Sequence, residues 1–359
     1  MPIQVRRNRS TQIDMQSSIV DNMTNNIVDE MLDIGVGLDC GTMNFVAARK
    51  SGQKIETRRI RDAFIDLNQE HKRMLKLSNT SFVELEGRLL IIGDEALDCA
   101  NLFNREPRRP MSGGIINSSE IDAQKIVSLM MKNVLGDPKK DNEKCYYSVP
   151  APALDIIGSD ITYHQAILKK ILKELGYDPE PTNEAQAIIF SECAKENFSG
   201  IGISYGSGMT NICLSYNAMS ALEFSVCKGG DWIDDGAGRA VNVTRSKMCT
   251  LKESGININS PNGRNQEALS LFVSSLIDYS LNGIINHFDT VKHEILVPKP
   301  IPIIISGGTS KAGGFIDKFK ERFECLRSNF PIEISEIRSA NDPMTSVATG
   351  LLLLSQMGD

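Results

Sequence analysis

The stretch Ile34-Gly35-Val36-Gly37-Leu38-Asp39-Cys40-Gly41-Thr42-Met43-Asn44-Phe45 decides the fold. It reads as an apolar strand, a tight turn of small and polar residues, and the start of a second apolar strand. Such a hairpin presents backbone N–H groups and hydroxyls that can surround a phosphate, and glycine lets a ligand approach the backbone closely. The same device recurs at Gly200-Ile201-Gly202-Ile203-Ser204-Tyr205-Gly206-Ser207-Gly208-Met209-Thr210-Asn211-Ile212. One copy is weak evidence, but two at domain-scale spacing predict two lobes that grip one triphosphate from opposite sides. A third stretch runs from Ile301-Pro302-Ile303-Ile304-Ile305 into Ser306-Gly307-Gly308-Thr309-Ser310 and on to Phe315-Ile316. It reads as a strand, a Gly-Gly turn and a helix start, with bare backbone against which a purine and ribose could lie.

Together the three segments resemble the phosphate-1, phosphate-2 and adenosine motifs of the actin, sugar-kinase and heat-shock-chaperone ATPase superfamily, over residues from about 34 to 356. Within it the bacterial actin-like proteins are most similar. Gly93-Asp94-Glu95-Ala96 resembles a segment they carry after a hairpin, Gly229-Gly230-Asp231 their Gly-Gly helix start, and Ala348-Thr349-Gly350 their closing helix. The resemblance implies an α/β, two-lobed actin-like ATPase fold with duplicated ribonuclease-H-like subdomains and a nucleotide cleft between the lobes. It also implies ATP or ADP with Mg2+ as ligands, slow ATP hydrolysis, and a homopolymer filament that positions or segregates cargo through an adaptor protein. A non-polymerising nucleotide-binding adaptor, or a chaperone-like ATPase that docks a partner, is the alternative.

Composition narrows the setting. The chain has 359 residues and a formal net charge of −6, enough length for two cored lobes and no basic stripe for nucleic acid. Its eight cysteines include no CxxC pair, and only four histidines accompany them. Scattered reduced thiols and a cytoplasmic location are therefore expected, and a zinc site is not. No apolar run reaches the ~18–20 residues of a membrane span. Residues 1–33 read as a flexible or weakly helical tail, with Ile19, Val20, Met23, Ile27, Val28 and Met31 at near-helical spacing.

Lobe I is expected over 34–198, with a small insert at about 57–92 that combines a polar stretch, Arg58 to Leu77, with a hairpin over 81–92. Lobe II is expected over 199–334 and a closing helix that returns to lobe I over 335–359. Few residues separate Glu253 from the helix expected over 265–288, so the outer subdomain of lobe II, about 229–264, should be reduced and a standard lengthwise filament contact is in doubt.

Phosphoryl transfer needs a cation across the phosphate oxygens, donors that hold them, and a group that orients water. Asp39, at the first hairpin tip, is the candidate metal residue, a carboxylate placed to hold the hydration shell of Mg2+. Gly41, Thr42, Met43 and Asn44 would donate to the β- and γ-phosphates, as would Gly206, Ser207, Gly208, Met209 and Thr210 from the second tip. Ser204 stands where the family pattern has an Asp, so ion charge is less well offset and turnover should be slow. By resemblance, Glu184 orients the hydrolytic water, with Gln186 as the alternative. Gly307, Gly308 and Thr309 form the adenosine floor, while Gly230, Lys252 and Glu253 reach base and ribose. Trp232 reads as core.

Overall fold

Strands β1 (Val36–Cys40), β2 (Asn44–Ser51) and β3 (Lys54–Arg61) pair antiparallel in sequence order. An insert follows, made of β4 (Phe64–Asn68), α1 (Lys72–Leu77), β5 (Val83–Leu85), β6 (Arg88–Ile92) and α2 (Asp94–Leu102). Its three strands form their own sheet in the order β4-β6-β5, closed over a small core that includes Leu75, Leu89, Ile91 and Ala96. The chain returns through β7 (Met111–Ser112), β8 (Ile115–Ile116), α3 (Ala123–Leu135), β9 (Glu143–Val149), α4 (Thr162–Glu174), β10 (Tyr177–Asn183) and α5 (Glu184–Glu192). This computed structural model describes residues 34–291 and 296–357; the helix expected in the N-terminal tail lies outside them.

The second half repeats the pattern. Its elements are β11 (Gly200–Tyr205), β12 (Thr210–Tyr216), β13 (Met219–Val226), α6 (Gly230–Val241), α7 (Arg245–Glu253), α8 (Arg264–Val291), β14 (Ile301–Ser306), α9 (Phe315–Leu326), β15 (Ile334–Ser339) and α10 (Ser346–Met357). The large sheets run β10-β9-β1-β2-β3 and β13-β12-β11-β14-β15. Read from opposite ends they are the same sheet: an antiparallel meander whose first strand pairs in parallel with a later strand, which pairs in parallel with the last. The duplicated, two-lobed α/β fold expected from the two hairpins is the one observed.

Burial explains why the central strands were legible. Every residue of β11 and of β14 is buried, as a strand covered on both faces requires, and such strands read as continuous apolar runs. In β3 every residue from Lys54 to Arg59 is exposed, so this edge strand shows charge where an apolar period was sought. That corrects the reading of a polar connection from Arg58 to Leu77: β3 continues to Arg61, and β4 and α1 follow. Likewise, β15 occupies 334–339 in the lobe II sheet, and the closing helix begins only at Ser346.

Each lobe has its own core, lobe I around Leu38, Phe45, Met130 and Tyr147, lobe II around Ile203, Phe224, Leu276 and Phe319. Between them α5 and α10 cross at very short range, a Cβ on Gly350 lying 1.8 Å from Ala187 O, and β1 meets α10 as closely, a Cβ on Gly37 lying 2.1 Å from Ala348 O. Glycine is required at these crossings because any side chain would drive the backbones apart. Among the described residues α8 is the one helix long and apolar enough to cross a membrane, but its Leu269, Val273, Leu276, Ile277 and Leu281 are buried in the lobe II core. Residues 254–263 join α7 to α8 without a strand of their own.

Candidate functional site

The two hairpin tips are closed by the same bond. Gly41 N–H donates to Asn44 O at 3.1 Å, and Gly206 N–H donates to Met209 O at 3.0 Å. They also face each other: a Cβ on Gly208 would come within 2.6 Å of both Thr42 Oγ1 and Gly114 N. Between the lobes lies a cleft of about 350 Å³. Its walls are the two tips (Gly41 to Asn44, and Gly206 to Met209), its base Asp39, Glu184 and Ser204, and its far end Gly230, Lys252, Glu253 and Gly307 to Thr309.

Two expected residues do not line it. Gln186 sits two positions after Glu184 on α5, and two steps of ~100° put it on the opposite side of the helix. Thr210 is buried and its Oγ1 donates to Lys228 O at 2.8 Å; along β12 successive side chains alternate faces, so Met209 meets the cleft and Thr210 turns away. Trp232 packs against the lobe II core, edge-on to Phe272 with ring centroids 5.2 Å apart.

Glu184 is the first helical residue of α5. Asn183 caps the helix, its Oδ1 accepting from Ala185 N at 2.9 Å and Gln186 N at 3.2 Å. This abrupt strand-to-helix change leaves the Glu184 carboxylate at the base of the cleft. Ser204 Oγ donates to its Oε1 at 2.5 Å and Asn211 Nδ2 to its Oε2 at 2.8 Å. Burial, reinforced by the charge of Asp39, pushes Glu184 up to about 8 against the Ser204 bond. Burial likewise pushes Asp39 up to about 6, opposed by the hydrogen bond Ser148 Oγ donates at 2.9 Å. Ser204 is thus engaged with Glu184, not simply a neutral stand-in aimed at a cation.

Lys252 is held in the wall: its Nζ lies 2.8 Å from the Asp234 carboxylate and donates to Gly230 O at 3.2 Å. Glu253, half-exposed, lies 3.9 Å from Arg61 of the opposite lobe, and Arg109 spans the lobes to Asp231 at 2.9 Å. Ser148, Asn211, Arg59, Arg61 and Met344 line the cleft without having been expected. Asn211 had a signal: a hairpin turning at Gly206 to Met209 pairs Ser204 with Asn211, and the two share a face. Arg59 and Arg61 share a face of β3 by the same alternation.

The donor set fits a Mg-nucleotide. Ser207 Oγ is buried at the second tip with no hydrogen-bond partner, and a phosphate oxygen there would accept from it. Asp39 and Glu184 are half-buried carboxylates whose proton affinities are raised by desolvation, that of Glu184 also by the charge of Asp39, an arrangement a cation relieves. Among the described residues no group of three or more His, Cys, Asp or Glu converges on one point. A Mg2+ ion here would complete its shell from water and phosphate oxygens, as it commonly does.

Comparison with curated protein sequences finds no match. Solved structures do match. A MamK double helical filament has a TM-score of 0.66 at 17% identity, with 90% of this chain and 98% of that one covered. MreB5 of Spiroplasma citri bound to ADP has a TM-score of 0.63 at 14% identity, covering 91% and 97%. Ethanolamine utilization protein EutJ from Carboxydothermus hydrogenoformans has a TM-score of 0.50 at 14% identity, covering 90% and 89%. At these identities the likeness establishes the fold, that of the actin-like ATPases. The Volactin family model matches residues 34–354, nearly the whole described chain, and the protein therefore belongs to the Volactin family.

Proposed function

We propose that this chain is a cytoplasmic actin-like ATPase that binds Mg-ATP between its lobes, hydrolyses it slowly and polymerises in the bound state. The observation that carries the reading is the pair of hairpin tips, closed by the same bond and facing one cleft, with an unpartnered Ser207 hydroxyl on the second tip and two carboxylates at the base of the cleft. The filament and nucleotide in the solved neighbours' descriptions support it.

In this reading the triphosphate lies between the tips, its oxygens taken by backbone N–H groups at Gly41 to Asn44 and at Gly206 to Met209 and by the Ser207 hydroxyl. Asp39 would hold a Mg2+ ion through its water shell, and that ion would supply positive charge to the phosphates. Glu184 orients the attacking water; Ser204 and Asn211 fix its carboxylate in place, because a positioned acceptor is useful only when its rotamer is held. Turnover is slow because Ser204 contributes a hydroxyl where a second acidic charge could offset the ion. The base and ribose lie on Gly307, Gly308 and Thr309 beside Met344, with Lys252 and Glu253 at the side.

The second reading, a non-polymerising nucleotide-binding adaptor, is favoured by the strandless connection over 254–263. Thermal denaturation with and without Mg-ATP tests binding: occupancy at a hundred times Kd should stabilise the protein by about 2.7 kcal/mol. Sedimentation with and without Mg-ATP then separates the readings, since a filament pellets and an adaptor does not. No thermal response to any Mg-nucleotide would remove both.

A further inference from the structure

The second donor to Glu184 is the end of a chain of hydrogen bonds that begins in the other lobe. Asn211 Nδ2 donates to Glu184 Oε2 at 2.8 Å, while Asn211 Oδ1 accepts from Ser225 Oγ at 2.5 Å. Ser225 Oγ in turn accepts from Ala151 N at 3.0 Å. A backbone N–H can only donate, so the direction of the first link is permanent. With that position on its oxygen filled, Ser225 directs its own proton to Asn211 Oδ1, and this turns the amide so that Nδ2 meets Glu184. The reversed amide would leave the Ser225 proton without an acceptor in a fully buried site and, once Glu184 is ionised, set Oδ1 against a carboxylate oxygen. Both faults cost free energy.

Ala151 belongs to a strap, residues 150–155, that leaves β9 of lobe I and lies along β13 of lobe II. Ser225 N donates to Pro152 O at 3.1 Å, and Leu154 N donates to Ser225 O at 2.9 Å. Asp155 pins the strap's end, accepting from Cys227 N at 2.8 Å and from Lys228 Nζ at 3.1 Å. Ser225 therefore sits where one lobe's chain is seated on the other, and its side chain points back toward the cleft.

From this geometry, and resting on the reading of Glu184 as the water-orienting group, we propose that Ser225 and Asn211 are positioning residues that relay strap seating to Glu184. The carboxylate is held for water while the strap lies on β13 and loses that orientation when the strap lifts. Nucleotide binding, which depends on the hairpin tips, is not part of the relay.

The test uses full-length protein with Mg-ATP. Ser225→Ala should lower single-turnover hydrolysis by roughly ten- to a hundredfold, with Kd for Mg-ATP changed by no more than about twofold. Ser225→Thr, which keeps the hydroxyl, should stay near wild type. In a Glu184→Gln background Ser225→Ala should cause no further loss, because both act through one carboxylate. Asn211→Ala carries the same expectations and serves if Ser225→Ala does not fold. Amide hydrogen exchange over 151–155, measured without nucleotide, should be faster in either variant. Wild-type hydrolysis in Ser225→Ala or Asn211→Ala, full additivity with Glu184→Gln, a parallel loss of affinity, or unchanged strap exchange would each overturn the relay. A wild-type protein that neither binds nor hydrolyses ATP would instead overturn the reading of the cleft, leaving the strap exchange to decide the relay by itself.

Discussion

Ser204→Asp places a third carboxylate at the base of the cleft, where the present hydroxyl donates to Glu184 Oε1 at 2.5 Å and Asp39 already raises the proton affinity of Glu184. Without nucleotide the substitution removes a donor and adds a like charge. Two unit charges about 4 Å apart at an effective dielectric constant of about 20 interact by about 4 kcal/mol. That full repulsion needs both groups ionised. Glu184, raised to about 8, is still largely protonated at pH 7 and can donate to the new carboxylate, so the loss there is small. The added charge holds that proton on Glu184 above pH 8, where wild type releases it, at about 1.4 kcal/mol per pH unit. The gap between variant and wild type should therefore widen by about 1–2 kcal/mol between pH 7 and pH 9, a drop of a few degrees in melting temperature. Thermal denaturation in EDTA across this range measures it. Mg-ATP should close the gap, since a divalent cation turns the added charge into a favourable one, and phosphate release should then exceed the wild-type rate. A pH-independent gap, or a variant stabilised by Mg-ATP no more than wild type, would refute the placement of Ser204 beside Glu184.

Gly308→Val should fold and lose nucleotide binding, because a Cβ there meets nothing closer than Met344 Sδ at 3.5 Å while the added methyls fill the adenosine floor; titration with labelled nucleotide checks it. Gly307→Ala should instead cost stability, about 1–3 kcal/mol, because Gly307 has φ of +88° and its Cβ would lie 2.4 Å from Tyr205 O. The raised Glu184 also sets a pH dependence for the nucleotide-free protein. A carboxyl raised above its unfolded value stabilises most below about pH 4.5, and that contribution is lost as pH rises through about 8. Glu184→Gln should flatten the decline between pH 5 and 8 at the expense of a pH-independent loss, since its amide nitrogen would face the Asn211 or Ser204 donor. Unfolding in urea at several pH values would show an unchanged slope if Glu184 does not titrate there.

Local chemistry was readable from residues 34–45, 200–212 and 301–316. A tight turn, an apolar strand buried on both faces and a Gly-Gly strand end are written in neighbouring residues, so the duplicated fold and the cleft followed from them. The closing helix came from the resemblance at Ala348-Thr349-Gly350, and it is shorter than the 335–359 expected because residues 334–339 form an edge strand. Residues that act across distance were not readable in this way. β3 is an exposed edge and shows charge in place of an apolar period, so Arg59 and Arg61 passed unnoticed. Gln186 and Thr210 were near the right residues in sequence but on the wrong side of a helix and a strand. Ser148 reaches Asp39 from the neighbouring strand of the lobe I sheet, Lys252 is tied to Asp234 by the packing of α7 on α6, and Arg109 crosses to Asp231 only because the lobes close as they do. Two tight glycine hairpins and a Gly-Gly turn could be read from neighbouring residues, because each is a short-range backbone preference. The convergence of Ser204 and Asn211 on Glu184 could not, because it depends on strand register, a helix start and the docking of two lobes at once.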